Sequence, residues 1–186
     1  MTRGARSRPG GEGGNPPLRI ARAVSERSLE IVRNLFREYV EEVGRPELFP
    51  EMEKELDGLP GAYGPPLGVL LSAHLGRFAA GCAGVRRWSA RICELKRLYV
   101  RPEYRTRGVG RQLVARAISE GRSRGYERMR LDTLGAMEAA VRLYRTLGFR
   151  EIPPYTSNPV PNAHFLELRL RSTPGVVESG ARSRIA

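Results

Sequence analysis

The stretch of this sequence best suited to chemistry runs from Leu98 to Arg111, LYVRPEYRTRGVGR. An apolar strand pattern ends there, a short loop carries Arg105, Arg107, Gly108 and Gly110, and an amphipathic helix pattern begins at once. The first amides of a helix lack intrahelical partners and point outward from its positive end. Glycine beside them lets an anion approach the backbone, so the layout suits a phosphate. Arg105 and Arg107 add positive charge. A dinucleotide fingerprint would need a third glycine three residues after Gly110, where Leu113 stands, and a P-loop would need Gly-Lys-Ser/Thr, which is absent. Glycine near a helix start and arginine in a loop are each common, so this segment alone leaves a phosphate site and an ordinary helix start both open.

The elements that must position this segment follow from periodicity. Leu18 to Ala23 alternates as a strand, and Ser25 with Glu26 reads as the start of a helix. Leu29, Val32, Leu35, Phe36, Tyr39, Val40 and Val43 recur at three- and four-residue spacing and predict its buried face, with Gly44 and Pro46 ending the run. Pro50 to Leu59 predicts a shorter helix. Val69 to Leu75, Phe78 to Arg86 and Ile92 to Val100 predict an antiparallel meander with turns at Gly76 and at Trp88 to Ala90. Helical spacing returns from Gly108 to about Arg124, with Gly125 beyond it. A strand follows over Met129 to Thr133, then a helical stripe from Met137 to Leu147 ended by Gly148. Phe149 to Ile152 and His164 to Leu170 predict the last strands. The order is β-α-α-β-β-β-α-β-α-β-β, a mixed α/β (α+β) fold.

Composition sets the limits. The 186 residues suit one domain, taken as 18–170, between a Gly-, Pro- and Arg-rich segment 1–17 and a C-terminal tail 171–186, neither of which has enough apolar side chains to offset the entropy of ordering. No apolar run approaches the roughly 20 residues of a membrane span, and Arg3, Arg6 and Arg8 are not followed by the apolar core of a signal peptide. A cytoplasmic protein that does not engage membranes is expected. Cys82 and Cys93, with only His74 and His164 beside them, offer no disulfide framework and no metal-ligand spacing, so the expectation is two buried reduced thiols and no metal. The formal charge of +12 raises the question of nucleic acid. Each tail holds three Arg and one Glu, the remaining +8 is interspersed with acids, and no nucleic-acid module accompanies it, so nucleic acid is not the expected partner.

Two motifs then carry a resemblance. Arg105-x-x-Gly108-x-Gly110 is similar to the [QR]-x-x-G-x-[GA] signature of the GNAT N-acetyltransferases, and Ala140-x-x-x-Tyr144-x-x-x-Gly148-Phe149 resembles that family's A-x-x-x-Y-x-x-x-G-F. The element order over about residues 18–170 matches the GNAT fold, a mixed, mostly antiparallel sheet of about seven strands with about four helices. The segments ELKRLYVRPEYR, RLDTL, LYRTLGF and IPPYTSNPVP look like a bacterial branch with mostly unassigned acceptors.

The resemblance implies acetyl-CoA as co-substrate. Its pantetheine arm would pair with backbone groups of the strand at Leu98, Tyr99 and Val100. Its pyrophosphate would be held by the amides of Arg105, Thr106, Arg107, Gly108, Val109, Gly110 and Arg111, with Ala140 also on the cofactor. The asparagine that often stands seven residues before the tyrosine is Met137 here. Tyr144 would protonate the departing thiolate, and a backbone N–H near Val100 would stabilise the oxyanion. Glu94, six residues before Val100, stands where one branch of the family places its base, while on residue type alone it could equally face solvent or pair with Lys96 or an Arg.

Tyr155, Asn158 and His164, after the last helix, are candidates for the acceptor pocket, although a proline-rich loop could simply close the sheet. The implied reaction moves an acetyl group to a primary amine of a small molecule or peptide by direct attack in a ternary complex. The alternative is a GNAT domain that binds acyl-CoA without turnover, as a sensor or interaction module. Homodimers are common in the family, and no segment of this sequence predicts one.

Overall fold

In the computed structural model, residues 16–135, 137–156 and 162–170 are described. The two tails, apart from Pro16 and Pro17, and Asn158 lie outside them. Seven strands, β1 (Leu18–Arg22), β2 (Val69–Leu75), β3 (Phe78–Arg87), β4 (Ile92–Val100), β5 (Arg128–Thr133), β6 (Arg150–Glu151) and β7 (His164–Arg169), form one sheet in the order β1-β2-β3-β4-β5-β7-β6. Every neighbouring pair is antiparallel except β4 and β5. Four α-helices accompany them: α1 (Glu26–Val43), α2 (Met52–Asp57), α3 (Val109–Ser123) and α4 (Glu138–Thr146). The expected fold class and element order are therefore present. The last hairpin is shorter than its apolar pattern suggested, because β6 has only two residues and Phe149 is buried in the core instead of lying in the strand.

The helices sort onto two faces. The α1 stripe of Leu29, Val32, Leu35 and Phe36 packs with Met52 and Leu56 of α2 and with Leu70, Cys82 and Tyr99 on one face of the sheet. Val109, Leu113, Val114, Ala117 and Ile118 of α3 and Tyr144 of α4 pack on the other, against Leu71, Val85, Cys93, Leu95 and Leu166. Local signals fix the ends of α1. Ser25 and Ser28 form a reciprocal capping box, and Gly44 takes the left-handed conformation (φ +65°) that ends the helix. Both cysteines are buried and free, as the composition suggested.

One feature of β4 controls the geometry. Cys82 of β3 pairs with Tyr99 and Gly84 with Lys96, so Arg97 and Leu98 together oppose Ala83 in a β-bulge. Arg97 adopts φ +57°, a conformation costing a side-chain-bearing residue roughly 1 kcal/mol or more. It is held there by two hydrogen bonds to Glu55 of α2 (3.0 and 2.6 Å) and by the Phe49 ring 5.1 Å from its guanidinium carbon. The bulge reverses the alternation of the strand. Cys93 and Leu95 face α3 before it, whereas after it Leu98 and Val100 take that side and Tyr99 turns toward α1.

A buried carboxylate joins the edge of the sheet to α3. Glu120 is 2% exposed and accepts hydrogen bonds from Arg22 of β1 (2.9 and 2.8 Å), Arg116 (2.8 Å) and Arg124 (2.5 Å). Burial alone would raise its pKa, but the bonds from Arg22, Arg124 and Arg116 outweigh burial and hold it at about 2. A carboxylate depressed in the folded state contributes stability that is present above its unfolded pKa and lost as pH falls toward 2. Glu120→Gln should therefore lower unfolding stability at pH 7 by about 1–3 kcal/mol in urea titrations, and the gap from wild type should narrow as pH falls from about 4.5 toward 2.

Candidate active site

The parallel pairing of β4 and β5 is short. Ile92, Cys93 and Glu94 pair with Arg128, Met129 and Arg130, and there the pairing ends. Beyond Glu94 the two strands part, so the β4 edge from Leu95 to Val100 has no strand partner on the β5 side. A cleft of about 890 Å³ opens at this fork. Its walls include Leu98, Tyr99 and Val100 of β4, Tyr39 and Glu42 of α1, Gly108 to Arg111 at the start of α3, and Met137 to Ala140 with Arg142 and Leu143 of α4. All the residues expected to bind the cofactor except Arg107 line this one cleft.

The α3 end of the cleft is built for an anion. Gly108 is the N-cap of α3 at φ +75°, and no side chain caps the helix. The first amides of a 15-residue helix are thus left facing the cleft. A side chain on Gly108 would be strained in this conformation. Gly110 has a different reason to be small: a Cβ there would meet only Leu143 and Val100 at 3.5 and 3.6 Å, ordinary contacts, so the space above it belongs to the cleft. Arg107 and Arg111 form no ion pair among the described residues; Arg107 lies 5.9 Å from the Tyr104 ring centre, and Arg111 is 3.4 Å from the Thr146 hydroxyl. Arg105 behaves otherwise than expected. Its guanidinium donates to the Val100 carbonyl (3.0 Å) and to Glu42 of α1 (2.6 Å), so its side chain braces the loop against α1 and occupies a backbone acceptor that the cofactor arm was expected to use. The neighbouring Arg101–Glu38 pair (2.8 and 2.6 Å) repeats this brace one helical turn earlier. A phosphate-bearing ligand with a slender arm fits the residues present, with its anionic end on the α3 amides and its arm beside β4.

The titratable groups nearby stand on α4 and on the two parting strands. Tyr144 is 5% exposed, and burial pushes its phenol well above the usual range, the charges of Tyr39 and Asp132 adding to the effect. It stays protonated at neutral pH and can donate. Glu94 is 1% exposed, and both of its oxygens are engaged: Oε2 accepts from Arg86 Nε (2.7 Å), and Oε1 accepts from the Tyr155 hydroxyl (2.9 Å). Tyr155, in the loop after β6, also packs edge-on against Trp88 and Phe165, at 5.1 and 5.5 Å between ring centres. The structure therefore brings Tyr155 to Glu94. It does not bring His164 there, since that ring bonds Glu151 at 3.0 Å.

Asp132 was not singled out by the sequence. It lies on β5 two residues past the last paired position, opposite Lys96, whose Nζ donates to its Oδ1 at 2.8 Å. Its Oδ2 has no partner among the described residues, and its side chain is 30% exposed. Only the parallel register makes Lys96 and Asp132 neighbours, and that register has no signature in either strand alone. Tyr39 was expected on the buried face of α1; it also reaches the cleft. Among the described residues no cluster suits a metal ion, and no helix is long and apolar enough to cross a membrane.

Comparison with known proteins agrees with this geometry. Residues 29–149 match the model of the acetyltransferase (GNAT) family. An uncharacterized N-acetyltransferase of Schizosaccharomyces pombe is 39% identical over 144 residues, which is 76% of this chain and 88% of the relative. An acetyltransferase structure from Streptococcus agalactiae superposes with a TM-score of 0.69 at 18% identity, covering 82% of this chain and 98% of that one. A putative acetyltransferase from Salmonella typhimurium, determined with its cofactor acetyl-CoA, gives 0.64 at 18% identity over 84% and 96% of the two chains. The family model and the relative together show, in keeping with the forked β4–β5 pair and the uncapped start of α3, that the chain belongs to the GNAT acetyltransferase family.

Proposed function

We propose that this protein transfers an acetyl group from acetyl-CoA to a primary amine of a small molecule or peptide by direct attack in a ternary complex. The observation that carries the reading is the cleft in which the unpaired edge of β4 meets the uncapped start of α3. Acetyl-CoA supplies an activated thioester. The α3 amides hold its pyrophosphate, with Arg107 and Arg111 at hand for its phosphates, and the unpaired edge of β4 receives its arm as an added strand. A backbone N–H of that edge near Val100 polarises the carbonyl and stabilises the oxyanion. Tyr144 gives its proton to the leaving sulfur.

The amine must lose a proton as it attacks. Glu94 stands at the expected place on β4, but its engaged oxygens suit it better to holding Tyr155 and Arg86 in position. Asp132, with one oxygen free at the fork, is the better proton acceptor, directly or through water. The acceptor approaches from the α1–α2 face, where Tyr39, Phe49 and Tyr155 supply aromatic surface. The ions on that face come largely in matched pairs, Glu55 with Arg97, Glu94 with Arg86 and Lys96 with Asp132, so they show no cationic excess that would select an acidic acceptor. The many arginines of the sequence therefore give no support to such a preference.

Isothermal titration of wild type with acetyl-CoA should show saturable binding, and Gly110→Leu should weaken it by more than about 10-fold with little change in melting temperature, since the new side chain fills cleft rather than core. In steady-state assays Tyr144→Phe and Asp132→Asn should each lower kcat by about 10²-fold or more while the acetyl-CoA Kd stays within about 2-fold, whereas Glu94→Gln should act more on thermal stability. Binding without turnover on any amine would favour the sensor alternative.

A further inference from the structure

The fork closes on an amine that belongs to the protein itself. Lys96 Nζ lies 2.8 Å from Asp132 Oδ1 and 3.9 Å from Glu94 Oε1, between the two carboxylates just where β4 and β5 stop pairing. Lys54 and Lys96 are the only lysines among 32 Lys and Arg residues. In a chain that otherwise uses arginine almost throughout, a lysine stands at the one position where a compact primary ammonium bridges the parting strands. An arm anchored at the start of α3 and lying beside Val100 and Leu98 runs toward Lys96. Four residues at roughly 3.3 Å each separate Val100 from Lys96, about 13 Å along the strand. Such an arm would carry its acyl end toward the Lys96–Asp132 pair, where β4 and β5 have parted.

We infer that Lys96 is an internal acceptor: with acetyl-CoA bound, the protein acetylates its own Lys96 side chain. The inference rests on the acetyl-CoA reading of the cleft. The Lys96 ammonium passes one proton to Asp132, and the freed Nζ attacks the acetyl carbonyl carbon. An N–C bond forms, the C–S bond breaks, and the thiolate takes the Tyr144 proton. A second proton from the nitrogen restores Tyr144, and Asp132 releases its proton to solvent. The products are Nζ-acetyl-Lys96, free CoA thiol and one proton. Acetylation removes the cation that pairs with Asp132 and leaves that carboxylate for a foreign ammonium, while Glu94 keeps its bonds from Arg86 and Tyr155.

The two lysines provide their own control. Lys54 has a side-chain exposure of 85% and Lys96 only 20%, so uncatalysed acetylation by the thioester should favour Lys54. Full-length protein would be incubated with 13C-labelled acetyl-CoA without added amine, and label at each lysine followed by peptide mass spectrometry, with acetyl-CoA binding measured calorimetrically on the same preparation. Site-directed transfer predicts label at Lys96 at least about 10-fold faster than at Lys54, at a first-order rate independent of protein concentration. It also predicts slowing in Tyr144→Phe and loss of that label in Lys96→Arg with acetyl-CoA binding retained. Label at Lys54 as fast as at Lys96, or none at Lys96 although acetyl-CoA binds, would overturn the inference and leave the cofactor reading intact. Absence of acetyl-CoA binding would overturn both.

Discussion

The structure depends most on the point where β4 stops pairing with β5. Two parallel strands would normally continue their ladder to satisfy backbone groups, and here they leave it after three residues. The β-bulge at Arg97 accompanies this parting. It reverses which side chains face α1 and which face α3, so Leu98 and Val100 lie on the α3 side while Tyr99 packs toward α1, and all three line the cleft. The cost of a left-handed arginine is offset by its pair with Glu55, which ties the bulge to α2. Without the fork, the Lys96–Asp132 pair would be an ordinary cross-strand contact.

Around the fork, charge is used to fasten elements together. Arg101–Glu38 and Arg105–Glu42 tie α1 to the loop that leads into α3. Glu120 fastens β1 to α3 with three arginines. Much of the positive charge that first suggested a polyanion partner is therefore spent on internal pairs.

Elements set by local chemistry were legible in the sequence. The α1 cap at Ser25, its stop at Gly44, the glycine-rich start of α3 and the stripe from Met137 to Leu147 depend on neighbours within one or two turns, and α4 (Glu138–Thr146) lies within one residue of each end of that stripe. What the sequence hid depends on register between distant strands. Nothing in ICELKRLYV marks Arg97 as a bulge, and Asp132 gains meaning only opposite Lys96, 36 residues away. Glu94 was legible as a carboxylate near the site, but its engagement by Arg86 and Tyr155 was not, because those partners come from β3 and from the loop after β6. Asn158 lies outside the described residues, and His164 proved to be paired with Glu151.

The most direct test of the account is amide hydrogen exchange with and without acetyl-CoA. If the cofactor arm adds to the open edge of β4 and its pyrophosphate sits on the start of α3, amides from Leu98 to Val100 and from Gly108 to Arg111 should become protected together. The β1–β2 edge on the far side of the sheet should be unchanged. Protection confined to other segments, or exchange at Leu98 to Val100 unaffected by saturating acetyl-CoA, would contradict the assignment of the fork as the cofactor cleft.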